Sequence, residues 1–138
     1  MPRSDAYDRH PEHTLVLAEA PAAVRVLVEG MKVAETRRGL RLREDRYPEV
    51  VYVPREDVRM SLLSRSSYTT HCPFKGDATH FDFRRSGHSI ERVAWSYENP
   101  FDQMAAIRDH LAFYADRAET LPLEDGTRKE RDDGNPRG

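Results

Sequence analysis

A single cysteine, Cys72, stands in the 138-residue chain. One thiol excludes an intrachain disulfide. It also excludes a zinc site of four cysteines, or of two cysteines and two histidines, within one chain. Long apolar runs are missing too. Residues 14–18 form too short a stretch to cross a bilayer, and the N-terminus has no apolar run of the signal-peptide kind. A cytoplasmic location is the default expectation. Neither sign of charge dominates: 22 Lys+Arg against 24 Asp+Glu give −2, so nothing predicts a nonspecific grip on nucleic acid or anionic membrane. No G-x-x-x-x-G-K-[ST], G-x-G-x-x-G or H-E-x-x-H pattern occurs among the glycines and six histidines.

What is present fits one domain with a heavily charged surface, since 33% of residues are charged and 38% hydrophobic. Residues 1–13 are polar, contain Pro2 and Pro11, and read as a tail. The domain is expected over residues 22–120, behind a polar lead-in at 1–21 and before a disordered tail at 121–138. Residues 24–28 and 31–35 are β-rich runs about Glu29-Gly30, a hairpin signal. Leu40 and Leu42 alternate with Arg41 and Arg43 as a half-buried strand, and 50–53 is the next strand, closed by Pro54. Residues 57–63 read as a short helix with Asp57 at its start. A short strand at 67–71 is followed by a turn at 72–76, and strands at 78–83 and 90–97 form a hairpin. Residues 101–117 read as a helix, because Met104, Ile107, Leu111 and Tyr114 recur at helical spacing behind Asn99 and Pro100. The expected fold is mainly β with a C-terminal helix, with Trp95, Ile107 and Leu111 buried.

The densest chemistry lies at residues 66–76, S-S-Y-T-T-H-C-P-F-K-G. Nearby cations lower a thiol's pKa, which makes His71 and Lys75 candidate activators of Cys72. The alternative is a small buried hydrophobe beside a proline turn, and Cys72 is expected to be mostly buried. Lys75-Gly76 presents a point charge beside a backbone that a ligand can approach closely. Lys75 is therefore expected to matter more for ligand binding than for stability. Glu44 and Asp57 are carboxylates at element ends, suited to metal or acid–base work, with helix capping the plainer role for Asp57. Trp95, Tyr52 and Tyr97 suit either a pocket wall or the core.

These segments also form an ordered series of motifs: V-R-V-L-V-E-G-M-K-V-A-E at 24–35, L-R-L-R-E at 40–44, and Y-V-P-R-E-D-V at 52–58. T-H-C-P-F-K-G at 70–76, A-W-S-Y-E-N-P at 94–100 and A-F-Y at 112–114 complete it. The series resembles the domain of unknown function 427 family. The matching residues are Glu44, Tyr52, Asp57, Thr70, Cys72, Lys75, Gly76, Trp95 and Tyr97. Val53 stands where that family often has an aromatic, and His71 and His80 where tyrosine is usual. The resemblance implies a compact, mainly antiparallel sheet with a C-terminal helix, tent-like or barrel-like. It implies little about activity. A nucleotidyltransferase label is attached to the family, but the closely spaced aspartate pair of such enzymes is not found here.

The leading expectation is a pocket for a small polar or anionic molecule, built from Glu44, Thr70, Cys72, Lys75 and Trp95. Cys72, Lys75 and Glu44 are the catalytic candidates. Neither a metal nor a cofactor is specified. The alternatives are a non-enzymatic interaction domain and a cysteine-dependent redox enzyme, which would need an external thiol. Convergence of these side chains on one concavity favours the pocket.

Overall fold

β-Branched and alternating apolar residues form ten strands in the computed structural model, which describes residues 2–123. They are β1 (Leu15–Glu19), β2 (Val24–Val28), β3 (Met31–Thr36), β4 (Leu40–Glu44), β5 (Val50–Pro54), β6 (Leu63–Cys72), β7 (Gly76–Arg85), β8 (His88–Ser96), β9 (His110–Phe113) and β10 (Glu119–Pro122). One sheet of seven runs β1-β4-β5-β9-β8-β7-β6, and one of three runs β10-β2-β3. Their strand pairings are antiparallel. Both sheets are open, with β1 and β6 at the edges of the larger one, rather than closed into a barrel. The Glu29-Gly30 hairpin is as expected: φ of 50° and 81° at the two residues between paired Val28 and Met31 gives a primed turn.

The large sheet has a core on each face. On one, Val26, Val28 and Val33 of the small sheet pack with Val53, Phe81 and Leu111. On the other lie Leu42, Tyr52, Tyr97 and Ala112, capped by Met104 and Ile107. Neighbours along β5 and β9 therefore bury in opposite directions: Tyr52 and Val53 are each 1% exposed, Leu111 and Ala112 each 0%. Trp95, expected in the core, is only partly buried at its edge.

The expected helix at 101–117 is not formed. Asp102–Ile107 makes tight 3-10 turns, Asp109 takes φ of 58°, and β9 enters the sheet between β5 and β8. Met104 and Ile107 reach the core from a turn and Leu111 from a strand, a combination that imitates helical spacing. The expected helix at 57–63 is likewise two 3-10 turns, Arg55–Asp57 and Met60–Leu62, with Leu63 opening β6.

The segment read as an N-terminal tail packs on the domain. It holds a one-turn helix, α1 (Ala6–Arg9), and Ser4 and Ala6 are buried at 5% and 2% exposure. The Ser4 hydroxyl donates to the Pro73 carbonyl at 2.5 Å, and Gln103 bonds the Ser4 backbone on both sides. Leu121 and Pro122, placed by the sequence in the second tail, pair with β2. The rest of that expected tail, 124–138, lies outside the described residues. Among the described residues no helix is long and apolar enough to cross a membrane.

Candidate functional site

Alternation along the strands brings one set of side chains to the second face. Leu42 opposes Val50, Tyr52 opposes Leu40, and His80 opposes Trp95. Beyond the layer capped by Met104 and Ile107, this face opens into a cavity of about 310 Å³. Trp95, Tyr52, Tyr97 and Tyr114 form its aromatic walls, and Tyr47 adds a ring from the β4–β5 turn. That turn closes through the Tyr47 N–H donating to the Glu44 carbonyl at 2.8 Å. Tyr114 follows β9 and is held by its N–H donating to the Val93 carbonyl at 2.9 Å.

The charged end of the cavity is an ion pair. Lys75 Nζ donates to Glu44 Oε1 at 2.6 Å, with side chains 10% and 15% exposed. The other Glu44 oxygen accepts from His13 Nε2 at 2.8 Å. Burial pushes the Glu44 carboxyl up, but the hydrogen bonds from Lys75 and His13 outweigh it, and the net shift is downward. Glu44 is thus held as a carboxylate.

The C-P-F-K-G turn builds this end residue by residue. The Lys75 N–H donates to the Cys72 carbonyl, and its carbonyl accepts from Phe101 at 2.9 Å. Gly76 takes φ of +121° against Pro100, where a Cβ would be strained whatever the space. Phe74 stacks on His13 at 4.4 Å and meets the edge of Tyr7 at 5.1 Å. The Tyr7 hydroxyl, raised to about 12 by burial and by Cys72 and Glu44, donates to the Phe74 carbonyl.

A second polar group lines the same cavity. His80, 2% exposed, contacts the Thr70 hydroxyl through Nε2 at 2.9 Å and the Tyr114 hydroxyl through Nδ1 at 3.0 Å. Burial, and then the charge of Arg92, lower its pKa, so the ring is neutral. Burial also pushes the Tyr52, Tyr97 and Tyr114 hydroxyls up, keeping them protonated.

Of the expected site residues, Glu44, Thr70, Lys75 and Trp95 line this one cavity. Cys72 is partly rather than mostly buried and lies behind Lys75, its sulfur accepting from Nζ at 3.7 Å. Asp57 is elsewhere. It accepts from Thr36 and Arg38 and so anchors the β3–β4 connection. His71 faces Asp77, not Cys72. Tyr47, His80, Tyr114 and His13 were not expected here. For His80 the available signal was its even-numbered phase with Ala78 on β7. Tyr47 and His13 carry no local signal, because each arrives through the fold. Among the described residues no three His, Cys, Asp or Glu side chains gather as metal ligands.

Fold and site together define a small antiparallel β-domain with an aromatic pocket closed at one end by a buried ion pair. The chain belongs to the family described as Domain of unknown function (DUF427), whose sequence profile matches residues 16–122. No curated protein matches it.

Proposed function

We propose that the domain binds a small, uncharged, largely aromatic molecule in this cavity. The carrying observation is that four of the five site residues expected from the sequence share one concave, aromatic-walled cavity. Flat rings favour stacked or edge-on contact with a planar ligand. A cavity of this size, mostly apolar with a few convergent polar groups, is the usual form of a small-molecule site. The state of the ion pair argues for an uncharged ligand over an anion. The charge of Lys75 is already neutralised by Glu44, and an incoming anion would come up against that buried carboxylate.

Trp95 is the sole tryptophan, so its indole N–H gives one resonance in a nitrogen-15 spectrum. Titration with phenol is expected to move that resonance to saturation, and inorganic phosphate to leave it in place. Movement with phosphate alone would make the cavity an anion site.

A further inference from the structure

His80 has no carboxylate partner among the described residues; both its nitrogens meet hydroxyls that line the cavity. Tyr68 covers the ring edge at 4.9 Å, and the Arg92 guanidinium lies 4.5 Å over Tyr68, so the surroundings oppose a second positive charge. A neutral imidazole has one N–H and one lone pair. One hydroxyl must therefore donate to the ring and the other must accept from it. The donating hydroxyl is left with lone pairs for the cavity. The accepting hydroxyl is left with its own hydrogen.

We infer that Thr70 and Tyr114, set by His80, present one hydrogen-bond donor and one acceptor to the ligand. The fitting ligand is an uncharged planar ring with an acceptor at one end and a donor at the other. This rests on the ligand-pocket reading above and specifies its chemistry. The hydroxyls stand on opposite edges of the imidazole, so the ligand groups belong to opposite ends of a six-membered ring rather than to neighbouring atoms. The two imidazole tautomers interchange the roles of Thr70 and Tyr114 without changing the charge of the site. Either orientation of such a ligand is therefore accepted.

The test uses the full chain, the Trp95 indole resonance and three probes of similar shape. 4-Hydroxyacetophenone has a donor and a carbonyl at opposite ends; 4-methoxyacetophenone lacks the donor; 4-ethylphenol lacks the carbonyl. The first is expected to bind about tenfold tighter than either of the others, as for one lost hydrogen bond. Thr70→Val and Tyr114→Phe should each remove that preference while all three probes still bind. Loss of discrimination among near-isosteric probes would not follow from a merely structural role. Equal affinity of the three probes for the unaltered protein would overturn the donor–acceptor assignment and leave the pocket standing. Failure of all three to bind would overturn the pocket itself and the assignment with it. An imidazolium signature for His80 at neutral pH would also overturn the assignment.

Discussion

At 8% exposure, Lys75 has exchanged nearly all its water for the Glu44 carboxylate and the Cys72 sulfur. Such a charge contributes more through the cost of stranding its partner than through the pair's net attraction. Lys75→Ala leaves Glu44 buried with the His13 hydrogen bond in place of its ion pair. Urea unfolding should show a loss of about 3–5 kcal/mol. Replacing both members, Lys75→Met with Glu44→Leu, should recover most of it. A near-neutral Lys75→Ala would return that lysine to the role the sequence suggested, binding more than stability. Glu98 gives a second test. Hydrogen bonding from Arg65 leads in holding its carboxyl down, and Arg55 and Thr79 add to it against burial, giving about 2. A depressed folded pKa means stability that is present above the ordinary carboxyl range and lost as pH falls toward 2. The melting temperature should drop through that window, and Glu98→Gln should start lower at neutral pH and fall less steeply. An acid limb unchanged in Glu98→Gln would rule out this role.

Among the elements, β9 is the one most easily misread and most deeply placed. Leu111 is fully buried between β5 and β8, so Leu111→Ala should cost about 2–5 kcal/mol in equilibrium unfolding. The N-terminal segment yields an opposite expectation to its composition. Ser4, Tyr7 and His13 each hydrogen-bond to the domain, at roughly 1 kcal/mol apiece. A chain beginning at Thr14 should melt lower by more than about 5 °C. An unchanged midpoint would mean these contacts add nothing net. Strands with clear alternation, such as 40–44, and the Glu29-Gly30 hairpin were legible because local sequence decides them. β9 was not, since four residues are too few to show a period of two and Ile107 and Leu111 happen to lie four apart. The N-terminal segment was illegible because its partners, Pro73 and Gln103, are distant in sequence. Within the site, the 70–76 motif and Trp95 stood out. Tyr114 falls in an apparent helix stripe, and His13 in an apparent tail.

For the whole molecule, the decisive arrangement is one sheet with a core on either side. The pocket walls grow from strands whose opposite faces are already packed: Tyr52 backs on Val53, and Tyr114 follows Leu111 and Ala112. Such walls have little freedom to lose when a ligand enters, so association should be limited by access past Tyr47 rather than by rearrangement. Amide exchange in β5 and β9 should accordingly be among the slowest in the protein, with or without phenol. Fast exchange there would contradict a preformed cavity.

The irregularity in β6 has a consequence for how copies of this protein behave together. Arg65 pairs with Phe81 and Thr69 with Thr79, so four steps on β6 face two on β7. The surplus turns Tyr68 onto His80 and also breaks an otherwise ten-residue exposed border into two short lengths. A continuous border of unpaired amides is a template for another strand; an interrupted one offers too few consecutive bonds to hold it. Deleting Ser66 and Ser67 would even out the ladder, and light scattering at high protein concentration should then rise. The register shift that sets Tyr68 against His80 thus also interrupts the edge on which a second copy would pair.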